Sequence, residues 1–164
     1  MESKRYTLSV LVEDEPGVLG RISGLLSRRG FNIESLAVGA SEKVDHSRMT
    51  MVFNCDDRII EQVIKQLYKL INVVLVTNVS NVPSLEREIM LMKINTTPET
   101  QAEIFEITKV FNIKILDLTF HSMVLEITGD PPKMVAVEKL LSKFGIKEVA
   151  RTGRIALARD LTYN

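Results

Sequence analysis

The sequence predicts an α+β chain made of two tandem βαββαβ units. Three observations carry this expectation. Short runs alternate apolar and polar residues, as in Tyr6–Glu13 and Arg48–Phe53, which is the period of a half-buried strand. Between them lie stretches with apolar residues at helical spacing, each opened by Asp, Thr or Pro and two of them closed by Gly. The same order of elements then recurs on the far side of the turn-rich segment Ser80-Asn81-Val82-Pro83-Ser84.

The first strand is Tyr6–Glu13, with Leu8, Val10 and Val12 on one face. Asp14-Glu15-Pro16-Gly17 leads into a helix. Pro16 has its φ already set for a first helical turn. Residues 18, 19, 22, 25 and 26 form the apolar face. Arg28 and Arg29 suit the carbonyl end of the helix, and Gly30 suits the left-handed residue that ends it. Phe31–Ala40 reads as the second strand, 41–46 as a polar connector, and Arg48–Phe53 as the third strand. Asp56 or Asp57 caps a second helix running to about Leu70, with Ile60, Val63, Ile64, Leu67 and Ile71 inward. Val73–Val79 closes the unit. Crossovers in this order give a four-stranded antiparallel sheet with both helices on one side, the ferredoxin-like arrangement. Residues 1–79 form this unit, and 80–84 are the linker.

Residues 85–164 repeat the order. Ile89–Ile94 is a strand, and Thr96 or Thr97 caps a helix with Pro98 in its first turn and Ile104, Phe105, Thr108 and Phe111 on one face. Ile113–Phe120 and Met123–Thr128 form a hairpin around His121-Ser122. Gly129-Asp130-Pro131-Pro132 opens a helix carrying Val135, Val137, Leu140, Leu141 and Phe144. Gly145 stops it, Ile146–Ala150 is the last main strand, and 151–164 is an extra strand or a tail.

The chemistry lies at the first helix start. Backbone N–H groups around Gly17–Leu19 point out of the helix with partial positive charge and attract a carboxylate or phosphate. Gly17 lets a ligand approach the backbone. Asp14 and Glu15 would repel a phosphate but could receive an ammonium group. An amino acid therefore suits the site better than a nucleotide; the plain alternative is a capped helix start. The second unit has Thr96-Thr97-Pro98-Glu99 at this place, without the glycine or the paired acids, so one ligand motif per chain is expected.

Composition narrows the function classes. Of 164 residues, 21 are basic and 21 acidic, which argues against nucleic acid or an anionic membrane as the main partner. No apolar run approaches the roughly 20 residues of a membrane span. No signal-peptide core precedes the first strand, and Cys55 is the single cysteine, so a cytoplasmic location is expected. His46 and His121 have no partner histidine or cysteine nearby in sequence, which speaks against a metal site. Phosphate loops, dinucleotide fingerprints and nucleophile elbows are absent. An RNA-binding module on this strand order would need exposed aromatics on a basic sheet. An acylphosphatase-like enzyme would need a cationic loop after the first strand, where this chain has acids. No catalytic residues are expected.

Asp14-x-Pro16-Gly17-x-Leu19 followed by Gly30-Phe31-Asn32-Ile33 resembles the ACT domain, a small amino-acid-sensing module. With Ser47-Arg48-Met49-Thr50 and Glu86-Arg87-Glu88-Ile89-Met90-Leu91 in register, nearly the whole chain resembles the small regulatory subunits of acetolactate synthase. The resemblance implies a non-catalytic partner that activates a large subunit carrying thiamine diphosphate, magnesium and usually FAD, none of them held by this chain. It also implies feedback inhibition by valine in branched-chain amino-acid synthesis. The valine site would lie between two ACT domains paired side by side in a homodimer. Its residues here would be Asp14, Gly17, Val18, Leu19, Asn32 and Ile33. Helix-start N–H groups of one chain would bind the carboxylate, and Asn32 would come from the neighbour. The apolar wall would come from around Val18, Leu19 and Ile33. Many members resemble Asn at position 14, where this chain has Asp. A stand-alone amino-acid sensor and a ligand-free dimerisation module are the alternatives.

Overall fold

A computed structural model describes residues 3–159. The chain divides into two compact units: one combines residues through Leu85 with those from Arg154 on, and the other is Glu86–Gly153.

The first unit runs β1 (Lys4–Glu13), α1 (Val18–Arg28), β2 (Ser35–Ala40), β3 (His46–Cys55), α2 (Asp57–Leu67) and β4 (Val73–Asn78). Its sheet has the order β2-β3-β1-β4, antiparallel throughout. Leu8 pairs with Met51 and Val10 with Met49, so the apolar alternation of both central strands falls on one face. Leu8, Val10, Met51, Ile22, Leu26, Val63 and Leu67 form one cluster at 3% exposure or less, so α1 and α2 cover that same face. This is the ferredoxin-like arrangement. Asp56 caps α2, its side chain accepting from the Ile59 N–H at 2.9 Å.

Several boundaries differ from the sequence reading. Pro16 lies in the turn before α1, because the helix starts only at Val18. Residues 31–34 are irregular, and β2 begins at Ser35. Ile71 is not on an inner helix face: α2 ends at Leu67, and Ile71 is 91% exposed in the loop beyond. The connection after β4 lies one residue earlier than expected, at 79–83, with a 3-10 turn at Val79–Asn81, and the next strand starts at Ser84.

The second unit contains β5 (Ser84–Asn95) from Glu86 on, then α3 (Pro98–Val110), β6 (Lys114–Leu118), β7 (Ser122–Gly129), α4 (Pro131–Leu141) and β8 (Ile146–Arg151). Its sheet follows the order β6-β7-β5-β8. Met90, Met92, Ile94, Ile104, Met123, Leu125, Val137 and Leu141 are fully buried in its core. Val135, expected inward, is exposed; Met134 takes the inner position instead.

Residues 154–159 return to the first unit, although the sequence reading placed them with the second. Arg154 donates its N–H to Ser35 Oγ at 3.2 Å and Nη1 to Thr7 Oγ1 at 3.4 Å. Arg159 N–H donates to the Pro83 carbonyl at 2.8 Å. The last strand, β9 (Ile155–Ala158), lies between these anchors. Residues 160–164 of the expected tail lie outside the described residues. Among the described residues, no helix is long and apolar enough to cross a membrane.

Candidate functional site: the turn before the first helix

Glu15-Pro16-Gly17-Val18 forms a type II turn. The Val18 N–H donates to the Glu15 carbonyl at 3.3 Å, Pro16 occupies the second position, and Gly17 has φ 85° and ψ −1°. Only glycine takes this conformation without steric cost. Gly17 is also the N-cap of α1, its carbonyl accepting from the Arg21 N–H at 2.9 Å, and it has no side chain with which to cap the orphan donors. The N–H groups of Gly17, Leu19 and Gly20 therefore have no protein acceptor among the described residues.

Three carboxylates surround this turn, and they are not equivalent. Asn72 Nδ2 donates to Glu13 Oε2 at 3.1 Å and to Glu15 Oε2 at 3.0 Å. Asp14 donates its N–H to the Asp45 carbonyl at 2.8 Å, tying the turn to the β2–β3 hairpin tip. Its carboxylate is exposed and has no protein donor among the described residues. Arg21 stands on the other side, with Nη2 3.3 Å from the Pro16 carbonyl and Nη1 2.6 Å from Asn72 Oδ1. So the turn presents free N–H donors, one unpaired carboxylate and a nearby guanidinium, complementary to a group carrying both carboxylate and ammonium.

The expected site residues separate into two sets. Asp14, Gly17, Val18 and Leu19 meet at this turn. Val18 contributes less than expected, since its side chain is 4% exposed in the core and its N–H is spent in the turn. Leu19, 44% exposed, offers the apolar surface instead. Asn32 and Ile33 sit past the opposite end of α1. That helix has 11 residues, a span of about 16 Å. One chain therefore does not bring Asn32 to Gly17. Asn32 is exposed, with no hydrogen bond to its own backbone, while Ile33 packs partly against the core. The segment is held by Arg5, which reaches the Glu34 carboxylate with two nitrogens at 3.1 and 2.6 Å. Just beyond it, β2 is an edge strand, with Val38, Gly39 and Ala40 exposed.

Sequence reasoning missed Arg21 and Asn72. Arg21 carries a signal, one helical turn after Gly17. Asn72, in the loop before β4, carries none and is placed only by the fold.

The corresponding helix start in the second unit is closed. Pro98 has no N–H, and the Thr100 and Gln101 N–H groups both donate to the Thr97 carbonyl at 3.0 and 3.1 Å. The Thr97 N–H donates to Thr100 Oγ1 at 2.9 Å. A hydrogen bond from the Thr97 side chain, with one from Glu99's own backbone N–H, holds the Glu99 carboxyl below its usual pKa. Thr97, Pro98, Glu99, Phe120 and His121 line an open groove of about 540 Å³ there. Among the described residues, no cluster of three or more His, Cys, Asp or Glu could hold a metal ion.

Residues 8–75 match the family described as an AHAS small subunit-like ACT domain, and residues 87–160 match the small subunit of acetolactate synthase. The chain belongs to the acetolactate synthase small-subunit family. Among relatives in that family, a probable acetolactate synthase small subunit from Archaeoglobus fulgidus is 48% identical over 94% of this chain and 97% of its own length. The Mycolicibacterium smegmatis small subunit is 46% identical over 94% and 91%. The chloroplastic small subunit 2 of Arabidopsis thaliana is 50% identical over 96% of this chain, which spans only 32% of that longer protein. In three dimensions, the Thermotoga maritima small subunit superposes with a TM-score of 0.87 at 40% identity, covering 95% of this chain and 98% of its own. Membership of the acetolactate synthase small-subunit family makes this a regulatory chain, with catalysis belonging to the large subunit.

Proposed function

We propose that this chain binds the large, thiamine-diphosphate-dependent subunit of acetolactate synthase, raises its activity and makes it sensitive to valine. The observation that carries the effector reading is the turn at Gly17, with free N–H groups at Gly17, Leu19 and Gly20 next to the unpaired Asp14 carboxylate. Valine's carboxylate would take the N–H groups, its ammonium would face Asp14, and its isopropyl group would lie against Leu19. The separation of Gly17 from Asn32 by the length of α1 supports a site completed by a second copy of this chain, Asn32 and Ile33 coming from the neighbour. The open edge of β2 is the natural surface for that pairing. The linkage is then direct: valine inhibits by binding more tightly to the less active arrangement of the complex. The thiamine diphosphate, magnesium and flavin belong to the large subunit, and this chain contributes no chemical step.

The test is calorimetric titration of the purified chain with valine, leucine, isoleucine and serine, alongside Gly17→Asp. Saturable valine binding that the variant loses is the expected result. Absence of amino-acid binding both in the chain alone and in its complex with the large subunit would overturn the effector reading.

A further inference from the structure

Asn72 is 4% exposed, and its amide is fully engaged. Oδ1 accepts from Arg21 Nη1 at 2.6 Å, and Nδ2 donates to both Glu13 and Glu15. Its backbone carbonyl accepts from the Glu13 N–H at 2.9 Å. Through Arg21 it also reaches the Pro16 carbonyl. One buried side chain thus fixes residues on both flanks of the type II turn. We propose that Asn72 is a positioning residue for the effector turn, acting through Arg21 and the two glutamates. This rests on the effector reading above and assigns to that site a control point on the loop between α2 and β4.

The physical argument concerns charge and orientation. Glu13, Asp14 and Glu15 are consecutive carboxylates beside N–H donors that are to receive another carboxylate. Left free, all three would oppose that ligand. Asn72 draws Glu13 and Glu15 to its amide, leaving Asp14 as the single carboxylate available to an ammonium. It also aims Arg21, whose Nη2 lies 3.9 Å from the point where a Cβ on Gly17 would stand. That holds a positive charge beside the Gly17 turn. Asparagine suits the task because its amide has an acceptor for the guanidinium and donors for the carboxylates; aspartate would repel both glutamates, and leucine would remove the donor of both glutamates and leave Arg21 only the Pro16 carbonyl.

The experiment uses the full chain, with Asn72→Ala, Arg21→Met and the double variant. Arg21 is exposed, so its substitution leaves the core intact even if Asn72→Ala perturbs folding. Two readouts are needed. In the unliganded chain, amide exchange at Val18 and Arg21, the N–H groups that close the turn and open the helix, is expected to quicken about tenfold in each variant, while β1 and β3 amides stay protected. In valine titration, each single variant is expected to bind about tenfold more weakly, as loss of a charge-assisted hydrogen bond implies. The double variant is expected to bind about tenfold more weakly in total, not a hundredfold, because the residues act through each other. Unchanged exchange at Val18 and Arg21, or multiplicative losses of affinity, would overturn the proposal. If the unaltered chain binds no valine, alone or in complex with the large subunit, the effector reading falls, while the exchange result still decides whether Asn72 holds the turn.

Discussion

At Gly17 the backbone sits at φ 85°, and a Cβ added there would meet only Arg21 Nη2, 3.9 Å away, at ordinary contact distance. The expected cost of Gly17→Ala is therefore conformational and not steric: about 1–2 kcal/mol for a left-handed L-residue, read as a shift in the denaturant midpoint. Tyr6 provides a second test at this scale. Its hydroxyl donates to the Asp57 carboxylate, which, with burial, pushes the phenol pKa up to about 12. A raised pKa means the folded state favours the protonated phenol. The stability it contributes is complete below the unfolded value of about 10 and is lost as pH rises through the folded value. Spectrophotometric titration should show a late phenolate step that Tyr6→Phe removes. Neither effect was legible in the sequence. Gly17 read as a helix-start residue, but its turn type depends on where the helix begins. Tyr6 and Asp57 are far apart in the chain and meet only when β1 lies beside β3 and α2 begins at Asp57.

Elements were easier to read than residues, for a definite reason. In β1 and β3 the apolar alternation predicts the inward faces correctly because the antiparallel register matches Leu8 with Met51 and Val10 with Met49. Helix ends were less legible. Ile71 continues the spacing of α2 but follows its end, and a periodic pattern does not itself mark where hydrogen bonding stops. The contrast between α1 and α3 was partly visible, as Gly17 against Thr97-Pro98-Glu99. What the sequence could not show is that the N–H groups of Thr97, Thr100 and Gln101 are already spent. Thr100→Ala should remove the acceptor for the Thr97 N–H and destabilise the second unit by about 0.5–2 kcal/mol, seen in its denaturant transition. The edge strand β2 supplies another test. Val38 is 47% exposed, so Val38→Asp should leave the folded chain intact. In the proposed homodimer it should shift sedimentation toward monomer and weaken valine binding, because Asn32 and Ile33 of the proposed site come from the neighbouring chain.

At the scale of the molecule, two βαββαβ units were foreseen from the repeat of element order about the break near residue 80. The composition of the first unit was not. Its contribution from 154–159 rests on Arg154 reaching Ser35 and Thr7, and on Arg159 reaching Pro83. Such contacts link distant residues and leave no periodic trace. A chain ending at Gly153 is expected to retain the protection of second-unit amides. In the first unit, exchange should accelerate at Thr7, whose threonine hydroxyl accepts from Arg154, and at Ser35.

The return of β9 has a consequence for how this protein is made. Ribosomes deliver a chain from its N-terminus, and domains commonly fold in that order as they emerge. Here the unit that begins first is finished last, because the whole of Glu86–Gly153 must be translated before Arg154 appears. At about 5–20 residues per second, the first unit waits several seconds or more with Thr7 and Ser35 lacking their arginine partner. A nascent chain thus completes its first unit only after the whole of the second has been translated.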